Sequence, residues 1–285
     1  RPLFAVFRKG ACRNLRLALV SPDGKGGRVT PLDSTCFDCE ARYLGGRRTY
    51  TLRHGSAAIH IYAMASFGSE GAVWRFHTEG LAEGTLLQAT LCESRGSKFR
   101  RNGDLGVDDL TLFDANPAVP PLASIRWAAD GTSYLLLDSD NSLAAAPTAD
   151  TQAQQEARSR FEKEESRRQS IMSGVEFNTP DPVFNVLGSV LMAAADGLWD
   201  GDTWQHGCIG WRTPLAGWRG CYVGDAVGWT DRSYRHFAAY AKSQVCDVPP
   251  TLPHPQQDTT LNMARAVKRW GTPMYSNGYI CRYPY

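Results

Sequence analysis

The sequence predicts a multi-domain chain that is β first and α second: an antiparallel β-sandwich, a connecting helix, and the helices of an α-helical toroid or bundle. Three observations carry that reading. Residues 1–148 break into short apolar or alternating runs separated by turn residues. Residues 149–176 are dense in charges and strong helix formers. From residue 177 onward, apolar helical segments alternate with a long Gly- and Trp-rich loop.

In the first part, the runs 3–7, 15–20, 49–53, 58–63, 73–77, 86–91, 125–128 and 134–137 read as strands. Pro22-Asp23-Gly24, Gly45-Gly46, Gly68-Ser69, Asn102-Gly103-Asp104 and Asp130-Gly131 are the turns between them. Strands at such spacing with Gly-rich turns point to a sandwich. In the second part, Glu156 with Arg160 and Glu164 with Arg168 form i,i+4 pairs, and Phe161 is nearly the only apolar anchor. That is the pattern of a solvated connecting helix. In the third part, Asp181 is placed as an N-cap with Pro182 at the first helical position. The helix expected over 183–195 is apolar almost all round, which implies burial on several sides. Further helices are expected over 225–244 and 258–270, the last stopped by Gly271. Three helices do not close a toroid, so the expectation is an incomplete one, the N-terminal portion of a larger protein.

Length and composition set the bounds. At 285 residues, 42% hydrophobic and 21% charged, the chain has material for two globular cores and lies outside the disordered and collagen-like classes. A net charge of +2 offers no global field for nucleic acid or an anionic membrane. No apolar run reaches membrane-spanning length, at about 18 residues. The chain opens Arg1-Pro2, without a signal peptide in view. Of the eight cysteines only Cys36 and Cys39 are closely spaced, and no second pair accompanies them. A local disulfide or free thiols therefore stand ahead of a zinc site, and no metal or other cofactor is expected. Oligomeric state leaves no mark in the sequence.

The segment 199–229 holds five of the eight tryptophans, Trp199, Trp204, Trp211, Trp218 and Trp229, among glycines, aspartates and arginines. Any one of them is read most simply as core. A packed core has little use for Asp200, Asp202, His206, Arg212, Arg219 and Asp225, whose burial is costly unless paired. Indole faces stack on sugar C–H faces while carboxylates and guanidinium forks hold hydroxyls, so the cluster reads as a saccharide cleft. Trp199, Trp204, His206, Trp211, Arg212, Trp218, Arg219 and Trp229 are the substrate-binding candidates. Arg212 and Arg219 are suited to clamping a uronate carboxylate, or to pairing with Asp196 or Asp200.

Glycoside hydrolysis needs two carboxyl groups. Asp225 is the first candidate, expected at the N-terminus of a helix where free N–H groups favour an ionised carboxylate. Trp229, Arg232 and His236 then share its helix face, while Asp231 falls away toward Arg235. No glutamate follows Glu176. Asp200 or Asp202, flanked by Trp199 and Trp204, is therefore the second candidate, with desolvation raising it toward a general acid, and the alternative expectation is an acid beyond residue 285.

Residues 179–185 (TPDPVFN), the stretch 195–236 and Tyr275-Ser276-Asn277-Gly278 resemble bacterial six-hairpin glycosidase-like proteins. That resemblance implies an (α/α)6 toroid behind an N-terminal sandwich, and in the family most like this chain the sandwich is classed as a domain of unknown function. Gly217-Trp218-Arg219-Gly220 through Gly224-Asp225-Ala226 is also similar to the Gly-Trp-x-Gly-Asp-Ala signature of α-L-rhamnosidases. Here an insertion separates the Trp from the Gly-Asp, and the Arg-x-Glu that precedes the signature is missing. The resemblance implies a glycoside hydrolase acting on a glycan in a bacterial periplasm or outside the cell. Two alternatives stand beside it: a non-catalytic carbohydrate-binding protein, and a polysaccharide lyase using Tyr222, Tyr275 or His206 as base.

Overall fold

The computed structural model describes residues 1–8, 11–23, 27–96, 110–145, 152–206, 213–214, 217–244 and 246. They fall into two compact units, 1–193 and 194–285.

The first unit opens with two antiparallel sheets. One comprises β1 (Phe4–Arg8), β2 (Ala11–Ser21), β3 (Arg28–Pro31), β8 (Leu86–Glu93) and β9 (Ala123–Ala128), in the order β1-β2-β8-β9 with β3 also on β2. The other comprises β4 (Asp38–Leu44), β5 (Arg47–His54), β6 (Ala57–Ala65), β7 (Ala72–Glu79), β10 (Gly131–Leu137) and β11 (Leu143–Ala144), in the order β11-β10-β7-β6-β5-β4. All eight expected strands are present. Gly45 and Gly46, both at positive φ (53° and 83°), make the two-residue connection from β4 to β5 that a twisted hairpin requires.

Period-2 alternation sends Leu15, Leu17, Leu19, Leu87, Ala89, Leu91 and Trp127 from one sheet into the same core as Leu52, Ile59, Ile61, Trp74, Phe76, Leu135 and Leu137 from the other. The two sheets therefore form a β-sandwich. Within its core the Trp127 indole N–H donates to Ser133 Oγ at 2.9 Å, so this buried polar tip is satisfied. The sequence reading missed β3, β4 and β11. β4 is an edge strand exposed at nearly every position, so it carries none of the apolar alternation that marks a half-buried strand.

The helix expected as a solvated connector is α1 (Gln152–Met172), and it is docked. Ala157 and Phe161 pack with Met64, Val73 and Leu136 on the outer face of the six-stranded sheet. Its polar residues do the rest of the fastening. The Gln154 side chain accepts from Tyr134 N and donates to Tyr134 O, both at 2.9 Å, standing in for a neighbouring strand. Glu164, buried, accepts from Phe67 N at 2.9 Å. The expected pairs are replaced: Glu164 faces the sandwich, Glu165 takes Arg168 at i,i+3, and Arg158 pairs with Glu162 at i,i+4. Polar side chains aimed at backbone groups and arginines of the sheet give no apolar stripe, so sequence pattern reads the helix as solvated.

Asp181 caps the next helix as expected, accepting from Val183 N at 2.8 Å, with Pro182 in its first turn. The apolar stretch is two helices rather than one, α2 (Pro182–Asn185) and α3 (Leu187–Gly197), broken at Val186. The expectation of burial on several sides is not met. Gly188 and Met192 are buried, whereas Val183, Phe184, Val190 and Leu191 are exposed among the described residues. In the second unit, β12 (Gln205–His206) pairs with β13 (Thr213–Pro214), followed by α4 (Gly217–Ala226) and α5 (Thr230–Lys242). The helix expected over 258–270 and the loop at Tyr275 lie outside the described residues. Cys12, Cys36, Cys39, Cys92, Cys221 and Cys246 are free thiols. Among the described residues no helix is long and apolar enough to cross a membrane, and no cluster of three or more His, Cys, Asp or Glu is arranged to hold a metal.

Candidate functional site

The second unit assembles part of the tryptophan-rich segment around one ion pair. Asp196, in the last turn of α3, meets the Arg232 guanidinium at 2.9 Å, and both side chains are largely buried. The same guanidinium lies 4.1 Å from the Trp229 ring centroid and 5.6 Å from that of Trp199. Charge, planar fork and two indoles thus share one spot, a geometry that holds an arginine in place.

The loop after α3 folds back on itself. Trp199 and Trp204 form an antiparallel bridge, and Gln205 N donates to Leu198 O at 2.8 Å. Asp200 shapes the turn between them. Its carboxylate accepts from Asp202 N at 3.0 Å, from Thr203 N at 2.7 Å and from the Gln205 side-chain amide. Gly201 takes φ +111° within that turn. Asp200 is exposed, not enclosed between indoles as expected. Its oxygens organise backbone, which is the work of an Asx-turn residue and not of a desolvated proton donor.

Trp204 is a core residue at 1% exposure, so its ring is not open to a sugar. Its indole N–H donates to Ala195 O at 3.2 Å, and its ring packs edge-on against Trp199, with centroids 4.8 Å apart. Its backbone N–H donates to His236 Nδ1 at 3.1 Å. His236 is fully buried and thereby a structural acceptor. Gly224 allows the approach of α4. A Cβ there would lie 2.5 Å from Trp204 Cη2 and would also strike Ser233 Oγ.

Asp225 is not at a helix N-terminus. It sits in the last turn of α4, which closes with Trp229 N donating to Gly224 O (2.7 Å) and Gly228 N donating to Asp225 O (3.3 Å), Gly228 being at φ +76°. This is a Schellman ending. The free N–H groups expected beside the carboxylate belong instead to α5, whose first residue is Thr230. Gly228 was the legible signal: a glycine just past an apolar stretch stops a helix. Asp225 is exposed. One turn back, Cys221 is pushed up to about 11 by burial and then by the Asp225 charge.

Trp199 and Trp229 are half-buried and retain surface for a ligand. Arg219 is exposed on α4, and Asp202 and Asp231 are exposed as well. His206 lies in β12 and Trp218 in the first turn of α4. Trp211 and Arg212 lie outside the described residues. Arg232 and His236 lie on α5 and so do not share a helix with Asp225, which is on α4, and Arg235, expected to pair with Asp231, reaches Gly201 O at 3.3 Å. Sequence reasoning missed Asp196 as the partner of Arg232, because nothing in a separation of 36 residues marks the pair.

Comparison with known proteins bears on the sandwich. Residues 9–121 match the family model described as Domain of unknown function (DUF4450). The matched stretch runs from the start of β2 to just before β9 and includes none of the tryptophan-rich segment. No curated protein matches the chain.

Proposed function

We propose that the chain is a carbohydrate-active protein of the six-hairpin glycosidase type, acting on a polysaccharide or oligosaccharide through the surface of its second unit. The carrying observation is the pair of half-exposed indoles, Trp199 and Trp229, anchored by the Asp196–Arg232 ion pair, in a unit that also exposes the carboxylate of Asp225 at the end of α4. Indoles fixed in orientation and partly exposed suit the apolar face of a pyranose, and an exposed carboxylate suits its hydroxyls. In this reading Asp225 works on the sugar, whereas Asp200, Trp204 and His236 hold the platform. Hydrolysis of a glycosidic bond is the reaction that pairs Asp225 with a second carboxyl group.

One observation favours a second reading, a protein that binds glycans without cleaving them. Asp196 is neutralised by Arg232 and Asp200 is committed to its turn, so two of the aspartates flanking Trp199 are occupied. A glycan-array screen of the chain beside Asp225→Ala and Trp229→Ala, each checked for native circular dichroism, tests the platform. Binding lost in both variants supports it; binding unaffected by either refutes it. A reducing-sugar assay on the bound glycan separates the two readings. Product released by the wild type but not by Asp225→Ala indicates hydrolysis, and binding without product indicates recognition alone.

A further inference from the structure

The outer face of the six-stranded sheet carries a second feature, independent of the tryptophan-rich segment. Arg75 projects from β7 beneath α1, with its guanidinium 4.2 Å from the Tyr62 ring centroid and 5.4 Å from that of Phe161. Three neighbouring arginines have carboxylates: Arg47 and Arg168 on Glu165 and Arg158 on Glu162, each at 2.8 Å. The Arg75 side chain has no hydrogen-bond or ion-pair partner among the described residues, and its Nε is buried without one. A charged donor withdrawn from water and left unmet is costly, and in native structures it calls for an explanation.

Arg75 lines a groove of about 240 Å³ between α1 and the sheet, together with Tyr134, Phe161, Ser166 and Gln169. Glu162 and Glu165 stand at the same groove. Both are already matched: Glu162 by Arg158, and Glu165 by two arginines and Gln169. Arg75 is therefore positive charge in excess, presenting a planar fork that matches a carboxylate. The two glutamates disfavour a doubly charged ion such as phosphate more than a singly charged one. The volume is below the roughly 300 Å³ at which drug-sized pockets begin, so the occupant is small. Aromatic walls with a hydroxyl and an amide at the rim suit a body that is part apolar and part hydroxylated.

We propose that this groove binds a small carboxylate-bearing ligand at Arg75, and that a sugar acid is the class its walls fit. The site lies wholly in the first unit and does not rest on the reading of residues 194–285.

The test is calorimetric titration of the full chain with sodium glucuronate, glucose, sodium acetate and inorganic phosphate, repeated on Arg75→Lys and Ser166→Ala. Arg75→Lys keeps the charge and the ring contacts but loses the fork; Ser166→Ala alters only the rim. Saturable glucuronate binding, none by glucose at the same concentration, and a roughly tenfold loss in Arg75→Lys are expected. Glucuronate tighter than acetate identifies a sugar acid; equal affinity identifies a free carboxylic acid, with the Arg75 site upheld. The proposal is overturned if folded wild type binds neither carboxylate, if phosphate binds more tightly than both, or if Arg75→Lys leaves the affinity unchanged. The last result would also place any sugar-acid binding elsewhere, which keeps this site distinct from the platform of the second unit.

Discussion

Replacing Glu165 by glutamine tests whether α1 is clamped to the sandwich by charge. The Glu165 carboxylate receives Arg47 of β5 at 2.8 Å, Arg168 at 2.8 Å and Gln169 at 3.0 Å. Burial pushes its carboxyl up, but hydrogen bonds from Arg168 and Gln169 and the charges of Arg168 and Arg47 outweigh burial and hold it at about 2. A carboxyl depressed on folding stabilises the protein fully above its unfolded value near 4.5, and that contribution is lost as pH falls toward 2. The interval sets a ceiling of about 3 kcal/mol. Water at the edge of the cluster screens it, so ~1–2 kcal/mol is expected for Glu165→Gln at pH 7. Hydrogen exchange of α1 peptides, followed by mass spectrometry across a urea series at pH 7 and again near pH 2.5, reads this locally. The wild type should protect α1 better at pH 7, and the gap should shrink to a small fraction near pH 2.5, where the unfolded carboxyl is neutral and the folded one is beginning to protonate. A gap of equal size at both pH values would refute the electrostatic clamp.

Three further outcomes are expected. Gly224→Ala should cost ~1–3 kcal/mol in a thermal melt, since the added methyl meets the rigid Trp204 ring; a neutral effect would mean that α4 is not seated as described. Asp196→Asn should destabilise the second unit by on the order of 1–3 kcal/mol and so lower its melting temperature, because it leaves the largely buried Arg232 without its counter-charge, and an unchanged melt would contradict this. Iodoacetamide at pH 8 should label exposed Cys36 and Cys246 first. Cys12 and Cys92, pushed up by burial, and Cys221, pushed up to about 11 by burial and Asp225, should label after unfolding; peptide mapping that finds Cys221 as fast as Cys36 would count against the packing of α4 on α5.

The sandwich was legible because its core strands alternate. Ile59, Ile61, Trp74 and Phe76 fall at period two, and glycine turns bracket them. The edge strand β4 was not, since edge position removes the burial that writes the pattern. The docking of α1 escaped notice for a related reason: Gln154, Glu164 and Glu165 attach it through backbone amides and arginines, interactions that look like solvation when only one partner is visible. At the candidate site, composition located the right segment but not the roles within it. Trp204 and Asp200 resemble ligand-binding residues in sequence. The long-range contact with His236 shows the first to be core, and short-range hydrogen bonds from Asp202, Thr203 and Gln205 show the second to be a turn former. Asp225 was misplaced by one helix boundary, although Gly228 marked the stop.

The cover that α1 places over the sheet has a practical corollary for where the chain tolerates being cut. A piece ending at residue 148 would keep both sheets yet bare Met64, Val73 and Leu136 on a flat outer surface, next to the unpaired backbone of Tyr134 that Gln154 otherwise occupies. Sticky side chains beside an open strand edge are the ingredients of self-association. Protease-defined or cloned fragments of this protein should therefore stay monodisperse when they retain residues 152–172 and aggregate when they do not.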